Sequence, residues 1–210
     1  QPLPTPKTSA VFATEREVEY FRPVYLGDQL GARGRKLLSV NVRETSVGYG
    51  AFTVFETEWL NQDMEQIGFT RTGSYQYNPH PEGYKPDLPP SSTQINRHTA
   101  PFEVPEARAS YKNWMDQRYY EDVEIGDYIT PITFHMTVQR LVYEAGGNRD
   151  FSPIHHNDEV ARAGGASAMY ANNGFLQGMW ERAYREFFGL EGWIQKVGPF
   201  RIRRFTVVGK

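Results

Sequence analysis

Residues 146 to 165 read GGNRDFSPIHHNDEVARAGG, which sets the carboxylate of Asp150 five residues before the imidazole of His155, with Pro153 between them. A carboxylate and an imidazole aimed at one water can take a proton from it and return one, the elementary acts of general acid–base catalysis. Proline fixes φ, so Pro153 narrows the conformations of the link and helps to hold the two groups at a productive separation. Other roles compete for the same residues. Asp150 can serve as an Asx-turn or a helix cap. His155 and His156 can bind a metal as a pair, but His80, His98 and His135 are too scattered to complete a recognisable ligand set, so no metal site is expected. His156 is read as a neighbour rather than a second catalyst.

The flanking elements must position this loop. Thr137 is the expected N-cap of a short helix over VQRLVYEAGG, stopped by Gly146-Gly147. Asn157 caps DEVARAGG, whose first turn carries Asp158 and Glu159 where the helix dipole favours anions. The longest helical signal is NGFLQGMWERAYREFFG. Phe175, Leu176, Met179, Trp180, Ala183, Tyr184, Phe187 and Phe188 recur at helical spacing, Asn172-Asn173 can cap it and Gly189 ends it. So broad an apolar stripe predicts a mostly buried helix that needs a sheet around it. YYEDVEIGDYITPITFHMT before the site predicts a strand broken or bulged at Pro131, and GPFRIRRFTVV after the long helix predicts another.

The first third reads as strand. REVEYFRPVYLGDQL runs to a turn at Gly27-Asp28, and RKLLSVNVRETS alternates Leu38, Val40 and Val42 with Ser39, Asn41 and Arg43. YGAFTVFETEWL, the turn Asn61-Gln62-Asp63 and EQIGFTRTGSYQY continue an antiparallel meander. Seven of the 14 prolines then fall between residues 79 and 105. Proline removes ladder donors, so this stretch is an extended interdomain strap rather than a folded unit.

The totals exclude more than they name. With 210 residues, a net charge of −2 and 39% hydrophobic residues, the chain can bury a core and has no electrostatic basis for binding nucleic acid or an anionic membrane. No apolar run approaches the ~20 residues of a membrane span. The absence of cysteine excludes disulfides, thiolate metal sites and thiol nucleophiles, and fits a cytoplasmic enzyme.

The segment Asp150-Phe-Ser-Pro-Ile-His155 resembles the signature of the MaoC-like dehydratases, the (R)-specific enoyl-CoA hydratases, which is Asp-x-Asn-Pro-Leu/Ile-His. Asp150, Pro153, Ile154 and His155 match; Ser152 replaces the usual Asn, and Asn173-Gly174 stands where the family has His-Gly. The resemblance is best over residues 119 to 205. It implies an α+β hotdog fold, an antiparallel sheet wrapped round a long central helix, in tandem with the first half partial. Residues 1–78 would be the strand-rich part of a first, non-catalytic hotdog, 79–118 the linker, and 119–210 the catalytic hotdog, incomplete at its C-terminus.

That resemblance further implies reversible hydration of an acyl thioester, trans-2-enoyl-CoA to (R)-3-hydroxyacyl-CoA or a branched relative. Asp150 and His155 would be the acid–base pair, and the backbone N–H of Gly174, at the start of the long helix, the oxyanion donor. Ser152, which can orient Asp150, together with Asn173 and Phe175 would contact substrate. Coenzyme A or acyl carrier protein would carry the acyl group, no cofactor would be needed, and a homodimer or pseudo-dimer of hotdogs is expected. Arg201, Arg203 and Arg204 can meet coenzyme A phosphates, although a solvated basic strand is the simpler reading. Two alternatives remain open: thioester hydrolysis with Glu181 as the helix-borne carboxylate, and a non-catalytic acyl-binding subunit.

Overall fold

Alternating β-branched and aromatic residues form four long antiparallel strands: β1 (Ala10–Tyr20), β2 (Gly31–Thr45), β3 (Gly48–Leu60) and β4 (Gln66–Pro79). The computed structural model describes residues 7–88, 116–127, 129 and 132–209. A fifth strand, β5 (Lys196–Arg201), adds to the outer side of β1, giving the order β2-β3-β4-β1-β5. Val18 pairs with Val197 and Arg16 with Phe200, so the two ends of the chain share one sheet. Most of the proline-rich strap falls on residues outside those described.

The sheet closes tightly at the β3–β4 pair. A Cβ on Gly50 would lie 2.0 Å from the Gln76 carbonyl oxygen and 2.6 Å from Tyr77 Cα, so only glycine fits there. Tyr75 and Tyr77 stack at 5.0 Å between ring centroids, and Phe12 meets both rings. The fully buried Tyr75 hydroxyl lies 2.7 Å from the Arg43 carbonyl and 2.8 Å from that of Gly48, tying the β2–β3 turn to β4. The Tyr77 hydroxyl donates to the Gly164 carbonyl and so fastens the sheet to the helical half. Burial pushes this hydroxyl up to about 12, which keeps it a donor at neutral pH.

Among the described residues three α-helices carry the rest: α1 (Val138–Asn148), α2 (Asp158–Ala163) and α3 (Asn173–Phe188). Their expected caps are present. Thr137 accepts from Arg140 N–H at 3.2 Å, and Asn157 accepts from the amides of Glu159 and Val160. One apolar cluster joins Met136, Leu141 and Ala171 to Phe134, Phe175, Leu176 and Met179; another joins Ala161, Ala166, Tyr170 and Val207 to Ile154 and Phe205.

Several expectations change. β1 ends at Tyr20 rather than reaching Gly27-Asp28, because Pro23 follows and the Asp28 carboxylate closes a separate turn on Tyr25 N–H. Helix α1 runs past Gly146-Gly147 to Asn148 and stops at Arg149, whose φ of 55° is left-handed. Pro131 lies outside the described residues; among those described, 132 to 137 pair with no strand, and Met136 and Phe134 pack against α3 instead. β5 stops at Arg201, and from there only Val207 makes an isolated bridge, to Tyr170.

The largest difference concerns α3, in which only Phe187 is fully buried and Trp180 stays 52% exposed. Among the described residues, β5 supplies the nearby strand, through Phe200 against Trp180. Apolar periodicity identified the face of the helix but could not count the strands that cover it. Strand β2 is likewise exposed almost throughout, with Val40 and Val42 facing solvent.

Tyr75→Phe removes the hydroxyl shared between the Arg43 and Gly48 carbonyls, the second of which still accepts from Thr45 Oγ1 at 3.2 Å. We expect it to cost about 1–3 kcal/mol of stability in urea denaturation. Unchanged stability would show that the hydroxyl does not tie the turn.

Candidate active site

The turn after α1 aims Asp150. Its backbone N–H donates to the Ala145 carbonyl at 3.0 Å, one residue beyond the left-handed Arg149, and this closes the helix end. The side chain is then held at both oxygens. Oδ1 accepts from the backbone N–H of Ser152 at 3.4 Å, and Oδ2 accepts from Asn172 Nδ2 at 3.2 Å. Ser152 thus meets Asp150 through its backbone amide, and the side-chain donor that orients the carboxylate is that of Asn172.

Pro153 opens a single helical turn, Pro153–His155, that turns the imidazole inward. His155 is buried, and its Nδ1 lies 2.7 Å from the Tyr170 carbonyl oxygen. A carbonyl only accepts, so Nδ1 carries the hydrogen and Nε2 is left to face the site. Nε2 stands 3.4 Å from Asp150 Oδ2, with side-chain exposures of 7% for His155 and 43% for Asp150. The carboxylate is wet and the imidazole is dry. Both line a cavity of about 1000 Å³ between the sheet and the helical half, whose wall also includes Phe12, Phe52, Ser152, Asn172 and Asn173. His156 points elsewhere, exposed, with Nε2 at 3.3 Å from the Phe151 carbonyl.

At the start of α3 the side chains divide. Asn172 is the N-cap: its Oδ1 accepts from Phe175 N–H at 2.8 Å, which fixes Nδ2 toward Asp150. Asn173 lines the cavity with both polar atoms of its amide buried and without a hydrogen-bond partner. Gly174 lies in the first turn, where backbone N–H groups have no intrahelical acceptor. A Cβ there would fall 2.6 Å from Asn148 Nδ2, so glycine also makes room for that amide. Phe175 is not part of the cavity wall; it packs edge-on to Phe134 at 6.5 Å in the cluster beneath the helix. Glu181 accepts from Gln177 at 2.8 Å and is also absent from the cavity lining. Arg201, Arg203 and Arg204 line this cavity and a second one of about 490 Å³ walled by Ile132, Phe134, Met179 and Trp180.

Sequence reasoning missed Glu144. It lies on α1 behind Asp150, with Oε1 accepting from Asn148 Nδ2 and Oε2 buried without a partner. Burial, reinforced by the charge of Asp150 and partly offset by the Asn172 amide, pushes its carboxyl up to about 7. The only sequence signal was the spacing of Glu144 and Asn148, four apart on one helix face, which by itself reads as a surface pair.

No family model and no curated protein matches the chain. Solved structures do. A MaoC-like dehydratase superposes with a TM-score of 0.62 at 18% identity, over 90% of this chain and 58% of its own. A putative MaoC domain dehydratase from Chloroflexus aurantiacus gives 0.53 at 16% identity, over 85% and 51%. HtdX from Mycobacterium tuberculosis gives 0.51 at 16% identity, over 81% and 53%. These likenesses define the architecture: the chain has the hotdog fold of the MaoC-like dehydratases. It spans little more than half the length of those structures.

Asn172→Ala removes the α3 cap and the donor to Asp150 together. A loss of about 1–2 kcal/mol is expected in chemical denaturation. A variant as stable as the parent would show that neither bond contributes.

Proposed function

We propose that the chain catalyses reversible hydration of an acyl thioester, trans-2-enoyl to (R)-3-hydroxyacyl, at Asp150 and His155. The observation that carries this reading is the 3.4 Å approach of Asp150 Oδ2 to His155 Nε2 on the wall of a cavity large enough for an acyl thioester. One water can touch both atoms.

In the hydration direction Asp150 draws a proton from that water as its oxygen adds to carbon 3 of the enoyl group. The electron pair of the C=C bond moves toward the thioester oxygen, where the Gly174 N–H and the positive end of α3 offset the developing charge. The proton passes from Asp150 to His155 Nε2 across the short gap, and the imidazolium so formed delivers it to carbon 2, which restores both groups, so no cofactor is consumed. The unpartnered Asn173 amide supports a role in holding the thioester or the new hydroxyl. Phe175, packed beneath the helix, would act through the placement of α3 rather than by touching substrate.

The substrate is carried by coenzyme A or acyl carrier protein. Arg203 and Arg204 on the cavity wall favour an anionic carrier of either kind. In this reading residues 119–210 belong to a catalytic hotdog and 1–78 to a partner hotdog, joined through the β1–β5 pairing as half of a dimer or pseudo-dimer.

Asp150→Asn and His155→Ala are each expected to lower kcat by roughly 10²- to 10⁴-fold while circular dichroism stays native, measured by the loss of enoyl-thioester absorbance. Near-full hydration by either variant would overturn the assignment.

A further inference from the structure

Behind the Asp150–His155 pair lies a connected set of polar groups, running from the exposed Asn148 to the buried Asn172, that the hydration scheme does not use. Asn148 Nδ2 donates to Glu144 Oε1 and lies 3.4 Å from Asn172 Oδ1. Its two N–H bonds can therefore serve both acceptors. Asn172 in turn gives Nδ2 to Asp150 Oδ2, 3.2 Å away. The orientation of the Asn172 amide is not free, because Phe175 N–H occupies its Oδ1. The path Glu144–Asn148–Asn172–Asp150 thus has a defined donor direction at every link. Gly174 completes it, since any side chain there would displace Asn148.

We propose that Glu144 is a positioning residue for the Asp150–His155 pair, acting through the amides of Asn148 and Asn172. Glu144 is not among the residues that line the cavity. What it contributes is a fixed acceptor for Asn148 and, by its charge state, the net charge around Asp150. The charged group that Glu144 faces is Asp150, with His155 next beyond it. While Glu144 keeps its proton, the neighbourhood holds one carboxylate and one imidazole. When it ionises, a second negative charge stands close to the start of α3, where the hydration scheme develops negative charge on the thioester oxygen. That electrostatic conflict raises the barrier.

The sign follows from the carboxyl lying near 7, well above its ordinary 4.5. The protonated, more active form dominates below about pH 7 and is lost above it. Between about pH 6 and about pH 8 a single ionisation of this kind lowers kcat about tenfold. KM is little affected, because Glu144 does not meet substrate.

The kinetic part of this inference rests on the hydratase reading, and the positioning part does not. NMR of the side-chain amides in the whole chain separates them. The Asn172 amide signals in the parent protein should show an inflection near pH 7 that is absent in Glu144→Gln and in Asn148→Ala. The kcat profile for a trans-2-enoyl-CoA should lose its fall above neutrality in Glu144→Gln. Identical Asn172 amide signals across this pH range in parent and Glu144→Gln would overturn the positioning role. Loss of the NMR inflection in Glu144→Gln, with no enoyl-CoA turnover by the parent, would uphold the relay and reject the hydratase reading. The Gln variant keeps shape and hydrogen-bonding capacity, and Asn148→Ala tests the path without touching Glu144.

Discussion

One buried side chain, the amide of Asn172, joins the helical scaffold to the chemistry. Its oxygen caps the start of α3 by accepting the Phe175 N–H, and its nitrogen holds the Asp150 carboxylate. Neither end can be reassigned without orphaning a backbone donor or a carboxylate oxygen, so the amide has one orientation. The position of Asp150 is consequently set by where α3 begins, and His155 is set by the Tyr170 carbonyl two residues before Asn172. A strand-like segment of three residues, Tyr170 to Asn172, therefore places both members of the pair against one cavity.

The sheet serves this arrangement from the other side. Tyr77 reaches from β4 to the turn after α2, and Phe12 and Phe52 provide apolar wall opposite the polar pair. Beyond the Asp150–His155 pair the cavity wall mixes apolar side chains such as Phe12, Phe52 and Ile154 with charged ones such as Glu15, Arg43 and Arg203. Pairing of β5 with β1 makes the cavity a feature of the whole chain rather than of one half.

What could be read from the sequence was local. Thr137, Asn157 and Asn172 cap helices through bonds to residues two or three positions away, so residue type and spacing suffice to find them. The Asp150–Pro153–His155 spacing fixed a short loop, and its two functional groups do converge. What could not be read was set by distant surfaces. The stripe on α3 looked like the centre of a closed sheet, yet Trp180 remains half exposed beside β5. The left-handed turn at Arg149 displaced the helix end expected at Gly146-Gly147, because the Asp150 amide returns to Ala145. Glu144 carried only its helical spacing to Asn148, since its burial depends on Asn172 and Asp150 arriving from outside α1.

Hydration at this site requires Asp150 Oδ2 and His155 Nε2 to address the two carbons of one bound C=C bond through a shared water. A crystal structure of Asp150→Asn with a bound trans-2-enoyl thioester tests this most directly. The account predicts carbon 3 of the acyl group within about 3–3.5 Å of a water held by His155 and residue 150, with the thioester oxygen toward the Gly174 amide. An acyl group lying elsewhere in the cavity, with carbon 3 remote from both side chains, would contradict it.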